Sequence, residues 1–237
     1  MKTNDTNKKS NKRGKFIVID GGEGSGKTTI LKWFAETPFG KKFLITHEPG
    51  GTEFADKIRA LVLSKEAKEA GAETQFCLMW AARAEHLKKK IIPALAKGVS
   101  VISDRFDSST YAYQIYPVRE YSTVLPQGAL REFSNGVYGQ KAKHLEKLFW
   151  QTREVFLRER KPDFYIFLDV EPKVGLQRVA GRKETKTHFD ERKLDFHKRV
   201  RAGFLEFLKY VPRKIIDANQ PIESVKTDFL KCVKMVL

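Results

Sequence analysis

The stretch Phe16-Ile17-Val18-Ile19-Asp20-Gly21-Gly22-Glu23-Gly24-Ser25-Gly26-Lys27-Thr28-Thr29 decides the fold. Residues 16–20 form a short apolar run ending in an aspartate, which reads as a buried strand. Residues 21–28 then match G-x-x-x-x-G-K-[ST], and a helical pattern follows to about Glu36. Strand, glycine-rich turn and helix form the context this motif needs. Its glycines let successive N–H groups turn inward around phosphate oxygens without side-chain clashes. The helix opening near Gly26 adds the positive end of its dipole. Lys27 is placed to reach β- and γ-phosphates, and the Thr28 hydroxyl is a hard oxygen ligand for Mg2+. The motif implies a nucleoside triphosphate and leaves the reaction open.

Working outward, apolar runs at 43–46, 99–103, 164–170 and 214–217 read as four more strands separated by helix-length segments. Continuous apolar strands alternating with helices predict an α/β fold, a doubly wound parallel sheet of about five strands in a three-layer sandwich. No repeat or linker divides the chain, so one domain is expected from residue 15 to residue 237. Residues 115–139 break the alternation with Pro117, Pro126, Gly128, Gly136 and Gly139; they read as a functional lid, an oligomer contact or a surface insertion, with a surface insertion without regular structure as the default.

Composition sets the outer limits. The chain has 237 residues, 41% of them apolar, enough for a real core. The longest apolar run, 76–82, is too short to span a membrane. Cys77 and Cys232 alone make neither a disulfide framework nor a cysteine zinc site. Net charge is +16, and residues 1–14 read as a solvated, disordered basic tail with no apolar anchor, consistent with the cytoplasm. Such a balance fits nucleic acid, an acidic membrane face or phosphorylated substrates, and equally fits plain solubility.

Three clusters narrow the reaction. Asp104-Arg105 follows the third strand, at the sheet edge where ligands bind in such folds. Arg105 there can grip a second phosphate and Asp104 can hold Mg2+ through water; a salt bridge at a strand end is the plainer alternative. Phe76, Met79, Trp80, Arg83 and Leu87 share one helical face, so Arg83 needs a partner in apolar surroundings, either a ligand or a structural ion pair. Arg178 and Arg182, with Lys183 and Lys186 after them, fall on or beside a polar stretch (181–192) that can close over phosphates.

These residues together resemble the bacterial-type thymidylate kinases, within the P-loop nucleoside monophosphate kinases. The resemblance runs from about Phe16 to near the C-terminus. It rests on the P-loop stretch, on Glu48-Pro49-Gly50-Gly51-Thr52, on Ala81-Ala82-Arg83, and on Asp104-Arg105-Phe106-Asp107-Ser108-Ser109-Thr110-Tyr111-Ala112-Tyr113-Gln114. Pro162-Asp163, Leu168-Asp169-Val170 and Phe196-His197-Lys198-Arg199-Val200-Arg201 complete it. It implies transfer of the ATP γ-phosphoryl group to dTMP with Mg2+, in a homodimer with neither a nucleic-acid nor a membrane partner.

Residue by residue, the resemblance implies that Gly21, Gly22, Glu23, Gly24, Ser25, Gly26, Lys27, Thr28, Thr29 and Arg178 meet ATP. Pro49, Met79, Arg83, Arg105, Ser109, Thr110, Tyr113 and Gln114 meet dTMP, with Arg83 on the thymine carbonyl and Arg105 on the acceptor phosphate. Arg178 and Arg182 fall in the lid; Lys27, Arg105, Glu23 and Arg182 are the catalytic set, and Thr28 and Asp104 the metal set. Departures are Met79 for a stacking Phe, His47 for an Arg, His188 for a lid Arg, Phe106 for Tyr, and the insertion at 115–139. Two other functions fit more loosely: a kinase for another deoxynucleotide or nucleoside, and a nucleic-acid-binding P-loop ATPase. Two phosphate-bearing substrates explain the basic clusters beside the cradle without the latter.

Overall fold

The computed structural model describes residues 13–64, 66–117, 137–181 and 192–237, with the side chains of 68 and 137–142 excepted. Five strands, β1 (Phe16–Gly21), β2 (Leu44–His47), β3 (Val101–Asp104), β4 (Phe164–Asp169) and β5 (Arg213–Asp217), form one parallel sheet in the order β2-β3-β1-β4-β5. All five expected strands are present. The third starts two residues later than expected, at Val101.

The central strands β1, β3 and β4 are apolar on both faces because both faces are covered, whereas the edge strand β5 is largely exposed. Phe16, Val18, Val101, Tyr165 and Phe167 join one core; Ile17, Ile19, Ile102, Ile166 and Leu168 join the other. The second core is closed by α1 (Lys27–Glu36) and α9 (Ile222–Val236). The first is closed by α3 (Ala72–His86), α5 (Asp107–Thr110), α6 (Val137–Leu157) and α8 (Leu194–Phe207). Three further helices complete the order: α2 (Glu53–Leu63), α4 (Ile92–Ala96) and α7 (Pro172–Ala180). Helix α3 runs into α4 through a wide π-helical turn (Leu87–Ile91), and a second such turn (Tyr111–Ile115) prolongs α5.

Two sequence expectations change here. Gly14 does not belong to a solvated tail: it is buried, donates its N–H to Leu95 O at 3.0 Å, and packs so closely that a Cβ would lie 2.2 Å from Val99 O. Arg13 pairs with Asp163 at 3.1 Å, and Asp163 also accepts the Phe16 N–H at 2.7 Å, so the entry to β1 is tied to the start of β4. Residues 115–139 are not irregular throughout. Residues 115–117 continue the helix of α5 and 137–139 begin α6, while 118–136 lie outside the described residues.

Candidate active site

The chain leaves β1 toward one face of the sheet and β3 toward the other, because α1 packs into the second core and α5 into the first. That opens a crevice at the carboxyl ends of two adjacent strands, the place where open α/β sheets bind ligands. A cavity of about 520 Å³ lies there, with Glu23 to Thr28 on one wall and residues of α2, α3 and α5 on the other.

At the phosphate end, the Lys27 ammonium sits in the hollow of the loop, 2.8 Å from Gly21 O, 3.2 Å from Gly22 O and 3.3 Å from Ser25 Oγ. Burial and the nearby Arg105 lower its pKa to about 8, against the pull of Asp104, Glu23 and Asp20. The loop is seated by a glycine-on-glycine contact: Gly24 has φ +70°, and a Cβ on it would lie 2.1 Å from Gly175 O in α7.

Arg105 takes φ 69°, in the left-handed region that side chains avoid, held by its N–H to Ile19 O and by Ser103 Oγ donating to its carbonyl at 2.8 Å. This turn aims the guanidinium across the crevice. Nη2 donates to Glu23 Oε1 at 3.1 Å and Nη1 to Ser109 Oγ at 3.1 Å. Tyr113 donates its hydroxyl to the same Glu23 oxygen at 2.7 Å, and burial keeps that phenol well above its ordinary pKa. Burial raises Glu23, but Arg105, Lys27 and the Tyr113 hydrogen bond outweigh it and hold the carboxylate at about 2. Beneath them Asp20 accepts hydrogen bonds from Ser108 and, at 2.7 Å, Ser109; burial lifts it to about 6 despite Arg105 and both serines.

At the other end, Arg83 is 2% exposed and donates through Nε to Glu48 Oε2 at 2.8 Å and through Nη2 to Thr110 Oγ1 at 3.0 Å. The sequence posed an ion pair against a ligand contact. The structure contains the ion pair and keeps a third donor, because Nη1 is buried without a hydrogen-bond partner among the described residues. Gln114 is equally buried, and its Oε1 is an acceptor without a partner among the described residues. Met79, Val62, Leu63 and Phe106 supply the apolar surface of the same cavity.

The donor set fits a hard divalent cation held mainly through phosphate oxygens. Asp104 Oδ1 is buried with no hydrogen-bond partner among the described residues, and Thr28 lines the same cavity. Among the described residues no three metal-ligating side chains cluster.

Of the residues expected at the site, Glu23, Gly24, Ser25, Gly26, Lys27, Thr28, Pro49, Met79, Arg83, Asp104, Arg105, Ser109, Thr110, Tyr113 and Gln114 all line this cavity. Gly21 and Gly22 contribute carbonyls behind it, and Thr29 is exposed on α1. Arg178 is misplaced in the expectation. It belongs to α7, not to a lid, and its Nη1 donates to Gly24 O at 3.3 Å and Ala218 O at 2.9 Å, behind the loop. Arg182, Lys183, Lys186 and His188 lie outside the described residues.

Sequence reading missed several groups. Arg59 of α2 lines the cavity and donates to Pro49 O at 2.8 Å; its signal was its place one helical face after Asp56 and Ala55. Asp20 stood in the opening motif unassigned. Arg153 and Tyr165 clamp Asp107 from α6 and β4, at 2.6 Å and 2.7 Å, fixing the start of the helix that carries Ser109 to Gln114. No local pattern pairs such distant residues. His47, which stands in for an arginine, is pushed below the usual histidine range by burial and Arg59, so it adds no full positive charge near neutral pH.

With this geometry in place, the comparisons with known proteins are direct. A family model described as thymidylate kinase matches residues 19–125 and 131–229. The thymidylate kinase of a Marinomonas species is 39% identical over 219 residues, covering 91% of this chain and 92% of that protein. That of Ruthia magnifica is 38% identical over 229 residues, covering 95% and 99%. That of Clostridium novyi is 35% identical over 218 residues, covering 90% and 95%.

Proposed function

The chain belongs to the thymidylate kinase family and transfers the γ-phosphoryl group of ATP to dTMP, and we propose how its residues divide that work. ATP lies with its phosphates in the loop of residues 21–28, against Lys27, with Thr29 following on α1 and Arg178 bracing the loop from behind through Gly24 O. The dTMP phosphate meets Arg105, helped by Arg59. Phosphoryl transfer asks for alignment and neutralised charge more than for covalent chemistry. Lys27 and Arg105 supply positive charge from two sides, and Glu23 and Tyr113 hold Arg105 in line. Arg182, outside the described residues, is proposed to add a further positive charge. Thr28, and Asp104 through water, would hold Mg2+, which would draw charge from the transferring phosphate oxygens.

The observation that carries the substrate assignment is the pair of partnerless buried atoms, Arg83 Nη1 and Gln114 Oε1, on one cavity wall. They offer a donor beside an acceptor. Thymine presents O4 as acceptor and N3–H as donor, so both are answered; cytosine presents the reverse. The Lys27→Ala variant tests the assignment of the phosphate end: it folds and releases ADP from ATP and dTMP at a rate reduced by ~10² or more. Near wild-type turnover contradicts it.

The same reading takes residues 15–237 as one kinase domain in the cytoplasm, acting as a homodimer. Leu148, Val155 and Phe156 support the last point, since they form an exposed apolar stripe on α6 at helical spacing. Among the described residues no helix is long and apolar enough to cross a membrane.

A further inference from the structure

Behind the base-reading wall lies a buried histidine that neither the motif nor the phosphate chemistry accounts for. His86 has no exposed surface and sits one turn after Arg83 on α3. Its Nδ1 lies 3.1 Å from Glu48 Oε1, and its Nε2 lies 2.8 Å from Thr46 Oγ1. Glu48 as a carboxylate only accepts hydrogen bonds, so Nδ1 donates to it, and the Thr46 hydroxyl, able to donate or accept, satisfies Nε2. Glu48 thus divides its oxygens: Oε1 to His86 and Oε2 to Arg83 Nε at 2.8 Å. Each oxygen is fixed by a different residue of one helix, and the carboxylate cannot rotate without breaking one bond.

The imidazole has little room of its own. Gly51 packs over its edge so closely that a Cβ there would lie 2.6 Å from Nε2 and 2.9 Å from Thr46 Oγ1. Lys90, four residues further along the same helical run, holds Gly51 O at 3.0 Å. The ring is therefore gripped from β2, from the loop after it and from α3.

We propose that His86 is a positioning residue for base recognition: it fixes the Glu48 carboxylate, which in turn fixes Arg83 with Nη1 turned to the nucleobase. The inference rests on the base-reading role of Arg83. Such an arrangement holds a ligand-binding donor to its place by its surroundings, so that binding need not freeze it. It predicts an effect confined to the nucleoside monophosphate and its base, with phosphoryl transfer from bound substrate left nearly intact.

The test is steady-state kinetics on the full chain with dTMP and dCMP. His86→Leu, which keeps volume and removes both ring nitrogens, raises the dTMP KM about tenfold, with kcat and the ATP KM within about twofold. It also compresses the dTMP:dCMP ratio of kcat/KM several-fold. His86→Asn returns a side-chain N–H toward Glu48 and recovers most of the dTMP KM. Should His86→Leu not fold, Thr46→Val loosens the ring from its far side and carries the same test. An unchanged dTMP KM and ratio in the folded variant overturn the proposal. So does a loss of thermal stability alone, equal in Leu and Asn. Arg83→Ala is the control: if it compresses the ratio while the His86 and Thr46 variants do not, base reading by Arg83 stands and the role of His86 falls. If Arg83→Ala itself leaves the ratio unchanged, the base-reading assignment and this proposal fall together.

Discussion

Arg105 and Glu23 meet at 3.1 Å across the mouth of the phosphate-binding loop, and both lie in one cavity with Lys27. One comes from the residue after β3 and the other from the loop after β1, so the contact joins the two strands that define the crevice. The Glu23 carboxylate, anionic down to about pH 2, holds the fork of Arg105 and is itself held ionised by Arg105 and Lys27. A guanidinium divided between Glu23 and Ser109 keeps its remaining edge for a phosphate.

From that geometry Arg105→Lys is not a conservative change. A lysine keeps one charge but cannot reach Glu23, Ser109 and a phosphate at once. The expected result is a fall in kcat/KM for dTMP of ~10² or more, with the ATP KM changed far less. A KM for ATP that rises as steeply as that for dTMP would place Arg105 on the wrong substrate.

Gln114→Leu removes the partnerless acceptor while keeping size and burial. Its amide nitrogen is tied only weakly, to Gln75 Oε1 at 3.4 Å, so the fold should hardly notice the change. We expect kcat/KM for dTMP to fall by about tenfold, the worth of one buried hydrogen bond, with dCMP affected less. Equal losses for both nucleotides, read in the same ADP-release assay, would show that Oε1 does not face the base.

Asp20 makes stability depend on pH in a stated direction. Its folded pKa of about 6 exceeds the ordinary 3.8, so the folded state takes up a proton first as pH falls. The cost of burying this carboxylate is fully present above about pH 6 and is relieved between 6 and 3.8. Asp20→Asn escapes that cost. Its stability relative to wild type, measured by urea unfolding, should therefore be greater at pH 8 than at pH 5 by about 1 kcal/mol. A relative stability that instead grows toward pH 5 would mean Asp20 is held ionised by Arg105 and the serines.

Fold and site were legible in the sequence to different depths. The sheet could be read because strands buried on both faces carry unbroken apolar runs, and the loop of residues 21–28 because backbone geometry there demands glycine. Arg83 was legible as a charge in an apolar stripe, but its meaning was not. That depends on Glu48 and Thr110, which come from elsewhere in the chain and leave no mark in the local pattern. Asp107 with Arg153 and Tyr165 is the same case. Arg178 was misjudged because a polar, glycine-punctuated stretch looks continuous from 178 onward, whereas α7 runs through Ala180 and draws Arg178 against the loop.

The most direct test of the whole account is a panel of nucleoside monophosphates offered to the unmodified enzyme with ATP and Mg2+, reading ADP release. Thymine and uracil present the same O4 and N3–H edge, so dUMP should trail dTMP only by the methyl contact, about one methylene of burial against Met79 and its apolar neighbours. Cytosine sets donor against Arg83 and acceptor against Gln114, which strands buried polar groups and should cost dCMP a factor of ~10² or more in kcat/KM. The account predicts the order dTMP, dUMP, then dCMP far behind. A kcat/KM for dCMP within a few-fold of that for dTMP would contradict it.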